Sequence, residues 1–337
     1  MRLIKFFNIK KTHFIIKPLL IVSSVFLLFS SISCELSNDD YSYEINLVTI
    51  ALDYSIYPGN ELYGTLNDAK EIEKAIRLNC LKQEIPYSSY KYYQIGDSYT
   101  SDTSAGIYYP SKANILDALD NLAALSNNNS INIIYYSGHS FDNGSWLVAR
   151  ESASESFSAL SVEEIYDKLK ILNGKNLLIS DSCFSGSFYK ESAYSVENEN
   201  LSFITAFNKF ISTDSEVSNT YILCATEKDN TAHEPYYENR EGMRIHGYFT
   251  KALLEGLGWC DGDKGILTEE LIDTITDEDG IQGKLAETIP PAAQNNILSV
   301  DHLVEYIKAN QDIALSEGEH QYPQVSGGRN DLVLFEY

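Results

Sequence analysis

Two stretches of the chain carry residue types that together can cleave an acyl bond. One is Ile133-Ile-Tyr-Tyr-Ser-Gly-His139, and the other is Leu177-Leu-Ile-Ser-Asp-Ser-Cys183-Phe-Ser-Gly186. Each is an apolar run entering a small, glycine-containing turn, one presenting an imidazole and the other a thiol. A thiol is a modest nucleophile until it loses its proton, and a neighbouring imidazole can take that proton. The same imidazole can then pass it to a leaving amine. The backbone N–H groups of Cys183 and of Ser140, just after the histidine, are candidates for holding the oxyanion. Gly138 and Gly186 let the backbone turn tightly and admit a substrate. Taken singly, a cysteine at a strand end is commonly core filling; the pairing gives the two residues chemical meaning.

Both turns must be positioned by the elements around them. Apolar, β-branched runs at Glu44–Leu52, Ile131–Tyr136, Asn176–Ser180, Thr220–Ala225 and Asp331–Phe335 read as strands. Amphipathic stretches at Leu66–Leu78, Ile115–Leu125, Val162–Leu172 (with Ser161 as N-cap) and Tyr248–Leu257 read as helices. Strands alternating with helices predict a mostly parallel sheet covered on both faces. Near-continuous apolar strands fit burial on both sides. Ligands of such sheets bind beyond the carboxyl ends of the strands, which is where His139 and Cys183 fall. The polar stretches 96–111, 186–218 and 226–246 read as loops, the second with a short helix near Phe203–Phe210.

These stretches resemble the caspase-like peptidases, and their metacaspase branch in particular. That family carries a strand followed by Ser-Gly-His-Gly and another followed by Asp-x-Cys-x-Ser-Gly. This chain has Ser137-Gly138-His139-Ser140 and Asp181-Ser182-Cys183-Phe184-Ser185-Gly186. Leu47–Leu52 resembles the family's first strand, and Leu62-Tyr-Gly-Thr-Leu-Asn-Asp-Ala69 the turn after it. Cys224-Ala-Thr226, Gly247–Leu254 and Gln321-Tyr-Pro-Gln324 resemble later elements in the right order, so the likeness spans roughly residues 45–336. It implies a three-layer α/β/α sandwich around a mostly parallel sheet of about six strands. It also implies a cysteine endopeptidase with a Cys183/His139 dyad. Metacaspase-like enzymes cleave after Arg or Lys, with acids at the floor of the S1 pocket. Those acids match Asp68 and Asp181, and Thr65 and Ser137 match further pocket positions. Paired carboxylates suit a guanidinium, which donates in bidentate fashion. Read alone, Asp68 is an ordinary acid at a helix N-terminus.

The chain departs from the family at informative places. Ser140 replaces the glycine after the histidine, which keeps a backbone N–H but adds a side chain beside the oxyanion hole. Many metacaspases bind calcium through an acidic segment downstream of the histidine; here Phe141–Ala149 lacks the acid cluster, and Lys190 stands where those enzymes have an acid. No cofactor or metal is therefore expected. Asp261-Gly-Asp-Lys-Gly265 has the wrong spacing for an EF-hand and reads as a turn into a helix capped by Thr268. Lys190 and Lys209 are candidate self-cleavage sites in the loop where related enzymes are processed.

The N-terminus reads as an address. Basic residues precede an apolar run, 18–33, that is shorter than a spanning helix prefers. The run ends at Ser31-Ile-Ser-Cys34, which resembles a bacterial lipobox with Ser31 in place of the usual leucine. The expected organisation is a signal peptide over 1–34 with lipidation at Cys34, a polar tether over 35–43 and a peptidase domain over 44–337. The expected location is extracytoplasmic, on a membrane through the lipid. The chain carries a formal net charge of −23. Residues 1–34 hold five bases and no acid, so 20 basic and 48 acidic residues remain, about −28. Such a body repels nucleic acid and attracts basic peptides. Five cysteines without a C-x-x-C pair argue against a zinc site.

Two rivals stay open at this level. Gly138-His139-Ser140-Phe141-Asp142 nearly matches the G-x-S-x-G elbow of serine hydrolases, with Ser140 as nucleophile and His302 or His320 as base, but this leaves Asp181–Gly186 unexplained. Alternatively, the fold serves as a binding or scaffold module without catalysis.

Overall fold

The computed structural model describes residues 43–56, 59–95, 100–141, 143–152, 157–183, 219–226, 231–234, 245–261, 271–276, 282–286, 289–311, 321–327 and 332–337. These fall within one compact unit, Tyr43–Tyr337. The expected leader with Cys34, and Gly186, Lys190, Lys209, Thr268 and His320, lie outside the described residues. No helix among the described residues is long and apolar enough to cross a membrane.

The scaffold is a seven-stranded sheet. Its strands are β1 (Glu44–Leu52), β2 (Tyr87–Gln94), β3 (Ile107–Tyr108), β4 (Ser130–Ser137), β7 (Lys175–Asp181), β8 (Thr220–Cys224) and β13 (Gln324–Gly327). They lie in the order β13-β8-β7-β4-β1-β2-β3. All neighbours are parallel except β13, which runs antiparallel to β8 at the edge. The chain spreads to both sides of β1, so a crevice is expected beyond the carboxyl ends of the central strands.

Alternation along β1 divides the core. Ile45, Leu47 and Ala51 face one layer, while Val48, Ile50 and Leu52 face the other. The first face is covered by α1 (Thr65–Lys82), α4 (Tyr248–Gly256) and α5 (Val300–Asn310), through residues such as Ile72, Phe249 and Leu303. The second is covered by α2 (Lys112–Leu125) and α3 (Val162–Lys170), through Ile115, Leu119 and Ile165. This is the expected three-layer α/β/α arrangement. Ser161 caps α3 in a full capping box: its hydroxyl accepts from Glu164 N, and the Glu164 carboxylate accepts from Ser161 N at 2.9 Å.

The seven strands agree with the expected sheet of about six, the two-residue β3 adding to the edge inside what reads as a polar loop. The expected last strand is present as β14 (Val333–Glu336), which pairs with β12 (Ile297–Ser299) in a separate two-stranded sheet. One expectation is corrected. A strand stands where a helix capped by Thr268 was expected: Leu271–Thr276 forms β10, paired with β11 (Gln282–Ala286), which pairs in turn with β9 (Trp259–Asp261). Four of the six β10 residues, Ile272, Thr274, Ile275 and Thr276, are β-branched, which suits a strand better than a helix. The remaining pair, β5 (Trp146–Val148) and β6 (Ser158–Leu160), lies between β4 and α3 in the chain.

Candidate active site

The register of the central strands brings the two turns together. Ser137, the last residue of β4, pairs with Asp181, the last of β7. His139 and Cys183 each come two residues later. Gly138 N donates to the Asp181 carbonyl at 3.2 Å, and the Ser140 hydroxyl donates to the Cys183 carbonyl. The histidine turn and the thiol turn are thus tied backbone to backbone and side chain to backbone.

Two buried tyrosines fix the histidine turn. The Tyr136 hydroxyl donates to the His139 carbonyl at 2.5 Å, and the Tyr54 hydroxyl accepts from His139 N at 2.9 Å. Tyr54 in turn donates to the Leu147 carbonyl at 2.7 Å, and its ring lies 4.6 Å from the imidazole. A side chain at Gly138 would collide with both hydroxyls, its Cβ lying 2.6 Å from that of Tyr54 and 2.7 Å from that of Tyr136. The imidazole Nε2 lies 2.8 Å from the Asn60 carbonyl. A carbonyl can only accept, so Nε2 carries the ring's proton in the neutral form. Nδ1 is then the nitrogen with the free lone pair.

Cys183 is half-buried, and its Sγ points to the Ala232 carbonyl at 3.7 Å. Burial, then the charge of Asp181, pushes its thiol above the usual range. The resting group is therefore a thiol that needs a base rather than a standing thiolate. Ser140 forms an isolated antiparallel bridge with Trp146. Around it, Leu147 N donates to His139 O and Phe141 N donates to Ser145 O, both at 3.0 Å. Ser140 thus occupies the position whose N–H stays out of the ladder. Among the described residues Ser140 N has no hydrogen-bond acceptor.

Beneath these turns lie the predicted pocket acids, both buried. Asp68, in the first turn of α1, accepts from the Ser137 hydroxyl at 3.1 Å and from Gly247 N at 3.3 Å on either oxygen. Asp181 accepts from the Thr250 hydroxyl at 2.6 Å. Because that hydroxyl's one hydrogen goes to Asp181, Tyr135 must be the donor in its 2.6 Å bond to Thr250. The two carboxylates flank the α-carbon of Gly247: a Cβ there would sit 2.5 Å from Asp181 Oδ2 and 3.4 Å from Asp68 Oδ2. Both carboxyls are raised above the carboxylate range, chiefly by burial, with Asp68 also raising Asp181. His246 lies alongside, with Nδ1 2.8 Å from Asp68 and Nε2 3.3 Å from Glu71. Burial alone would lower its pKa, but the two acids outweigh burial and raise it to about 10.

The structure therefore gathers Ser137, Asp68 and Asp181 into one hydrogen-bonded floor next to His139, Ser140 and Cys183. Thr65 stands apart in its bonding: its hydroxyl donates to the Leu52 carbonyl at 2.7 Å, joining α1 to the end of β1. The Ser140 hydroxyl is spent on a backbone carbonyl, and His302 bonds Ile297 O at 2.9 Å at the start of α5. Neither contact activates Ser140 as a nucleophile. Sequence reasoning missed Tyr54, Tyr136, His246 and Thr250, and also Glu234, whose carboxylate accepts from Gly64 N at 2.7 Å at the start of α1. Only Thr250 carried a signal, as a polar residue on the apolar face of the helix after Gly247. Among the described residues no group of three or more His, Cys, Asp or Glu could hold a metal ion.

The family model of the caspase domain, peptidase family C14, matches residues 48–330. No curated protein matches the chain. Among solved structures, the crystal structure of a Geobacter sulfurreducens protein aligns over 85% of this chain and 95% of its own, at 13% identity and a TM-score of 0.44.

Proposed function

The chain belongs to the caspase-domain family of cysteine peptidases, and on that premise we propose that it is an endopeptidase using Cys183 and His139 and cleaving after Arg or Lys. The observation that carries the proposal is the convergence of both turns on one sheet edge above a buried carboxylate pair. His139 Nδ1 takes the Cys183 proton as sulfur attacks the scissile carbonyl carbon. The N–H groups of Ser140 and Cys183 receive the developing oxyanion. His139 then returns the proton to the leaving amine as the C–N bond breaks, leaving a thioester on Cys183. Water, deprotonated by the same imidazole, hydrolyses the thioester and restores the thiol. The Asn60 carbonyl keeps the proton on Nε2 and leaves Nδ1 as the receiving nitrogen, while the Tyr54 ring packs against the imidazole. The acidic body draws a basic peptide toward the site, and the floor acids bind its P1 cation. We place the enzyme outside the cytoplasm on a membrane through Cys34.

The non-catalytic reading draws on one observation, the Ser140 side chain beside the oxyanion position. The two are separated with a peptidyl acyloxymethyl ketone bearing P1 arginine. Covalent labelling of Cys183 that is lost in Cys183→Ala and slowed in His139→Ala supports the peptidase. An unlabelled wild-type protein supports the scaffold.

A further inference from the structure

The two floor acids are not equivalent. Asp68 is fully engaged: one oxygen accepts from His246 and the other from Ser137, with Gly247 N shared between them. Asp181 is held from the side of Thr250, and among the described residues no cationic side chain pairs with it. His246 has a carboxylate at each ring nitrogen, Asp68 at 2.8 Å and Glu71 at 3.3 Å. Ionised carboxylates only accept, so satisfying both calls for a proton on both nitrogens. Glu71 is fixed in turn by Trp259 Nε1, which donates to it at 2.7 Å. The ring is almost wholly buried, where an imidazolium persists only if it is paired like this.

Resting on the peptidase reading above, we propose that His246 is a resident imidazolium that occupies Asp68, so that Asp181 is the carboxylate that takes the P1 cation. His246 is thus a positioning and specificity residue, acting through the acids and not on the reacting atoms. The groups facing it are Asp68 and Glu71 from α1, with Asp181 from β7 across Gly247. Glu234 adds negative charge felt by both aspartates. Without the imidazolium, two adjacent buried carboxylates cannot both stay ionised and must share a proton. A shared proton reorients the floor and weakens its hold on a guanidinium.

The test compares wild type, His246→Gln and His246→Lys on Arg-P1 peptides across pH, beside iodoacetamide alkylation of Cys183. In His246→Gln, KM rises about tenfold with kcat little changed, and the acid limb of kcat/KM moves up by about one pH unit, the equivalent change in free energy. The alkylation profile, which reports the dyad alone, stays in place, and His246→Lys recovers the KM. An unchanged KM and acid limb in His246→Gln overturns the proposal, as does a matching shift in alkylation. Imidazole nitrogen NMR of the full-length Cys183→Ala protein decides the matter without turnover. A His246 ring protonated on both nitrogens at pH 8 is expected, and a neutral one overturns the proposal. A wild-type protein that cleaves after neutral residues but not after Arg or Lys removes the specificity role and the P1 reading together. A wild-type protein with no Cys183-dependent cleavage removes the peptidase reading itself.

Discussion

At the residue scale, the site is built from groups whose burial works against the charges they carry. Asp68 and Asp181 are raised from the carboxylate range by burial, and His246 is raised to about 10 by its two acids. Each of these groups binds its proton more tightly folded than unfolded. Each therefore contributes stability that is complete below its unfolded pKa and is lost as pH rises through its folded pKa. For His246 that window runs from 6.5 to about 10. The melting temperature of Cys183→Ala is thus expected to fall steadily from pH 6 to pH 10, and a flat profile would contradict the assignment. Asp181→Asn keeps an acceptor for Thr250 while removing the charge. At pH 8 it should be more stable by about 1 kcal/mol, on the scale of one pKa unit. In the same variant, discrimination for basic P1 residues should drop at least tenfold. Gly138→Ala drives a methyl into the Tyr54 and Tyr136 hydroxyls, displacing the His139 turn. It should cut kcat/KM by about a hundredfold, the cost of about an ångström of misplacement.

At the element scale, the acids are set by where helices begin. α1 starts at Gly64 without a local side-chain cap. Glu234, distant in sequence, accepts from Tyr63 N at 3.1 Å and Gly64 N at 2.7 Å, putting a negative charge at the helix N-terminus. The same short segment supplies Ala232 O to the thiol. Glu234→Ala should lower stability by about 1 kcal/mol, a typical cap energy, and raise KM, read by thermal melting beside steady-state kinetics. The strands leading into His139 and Cys183 were legible because doubly buried strands are long apolar runs. The α3 cap was legible because Ser161 and Glu164 are local partners. Glu234 and His246 were not, since each gains meaning from α1 more than 160 residues away. The short β3 was hidden in polar sequence, and β14 lies beside β12 by tertiary pairing that no local pattern encodes.

At the scale of the whole molecule, a parallel sheet with helices on both faces delivers both reactive turns and both floor acids to one edge. Around that edge the net charge of −23 sets a long-range field. Salt screens such fields over about 10 Å at 0.1 M ionic strength. For a dibasic peptide, kcat/KM should therefore fall severalfold between 20 and 300 mM NaCl, while an uncharged active-site alkylating reagent should show no such trend. The most direct test of the account is cleavage by the full-length protein of matched fluorogenic peptides ending in Arg, Lys or Asp, beside Cys183→Ala and His139→Ala. Cleavage after Arg and Lys but not Asp, abolished in both variants, is the predicted result. Turnover that survives in Cys183→Ala, or that prefers Asp, would contradict it.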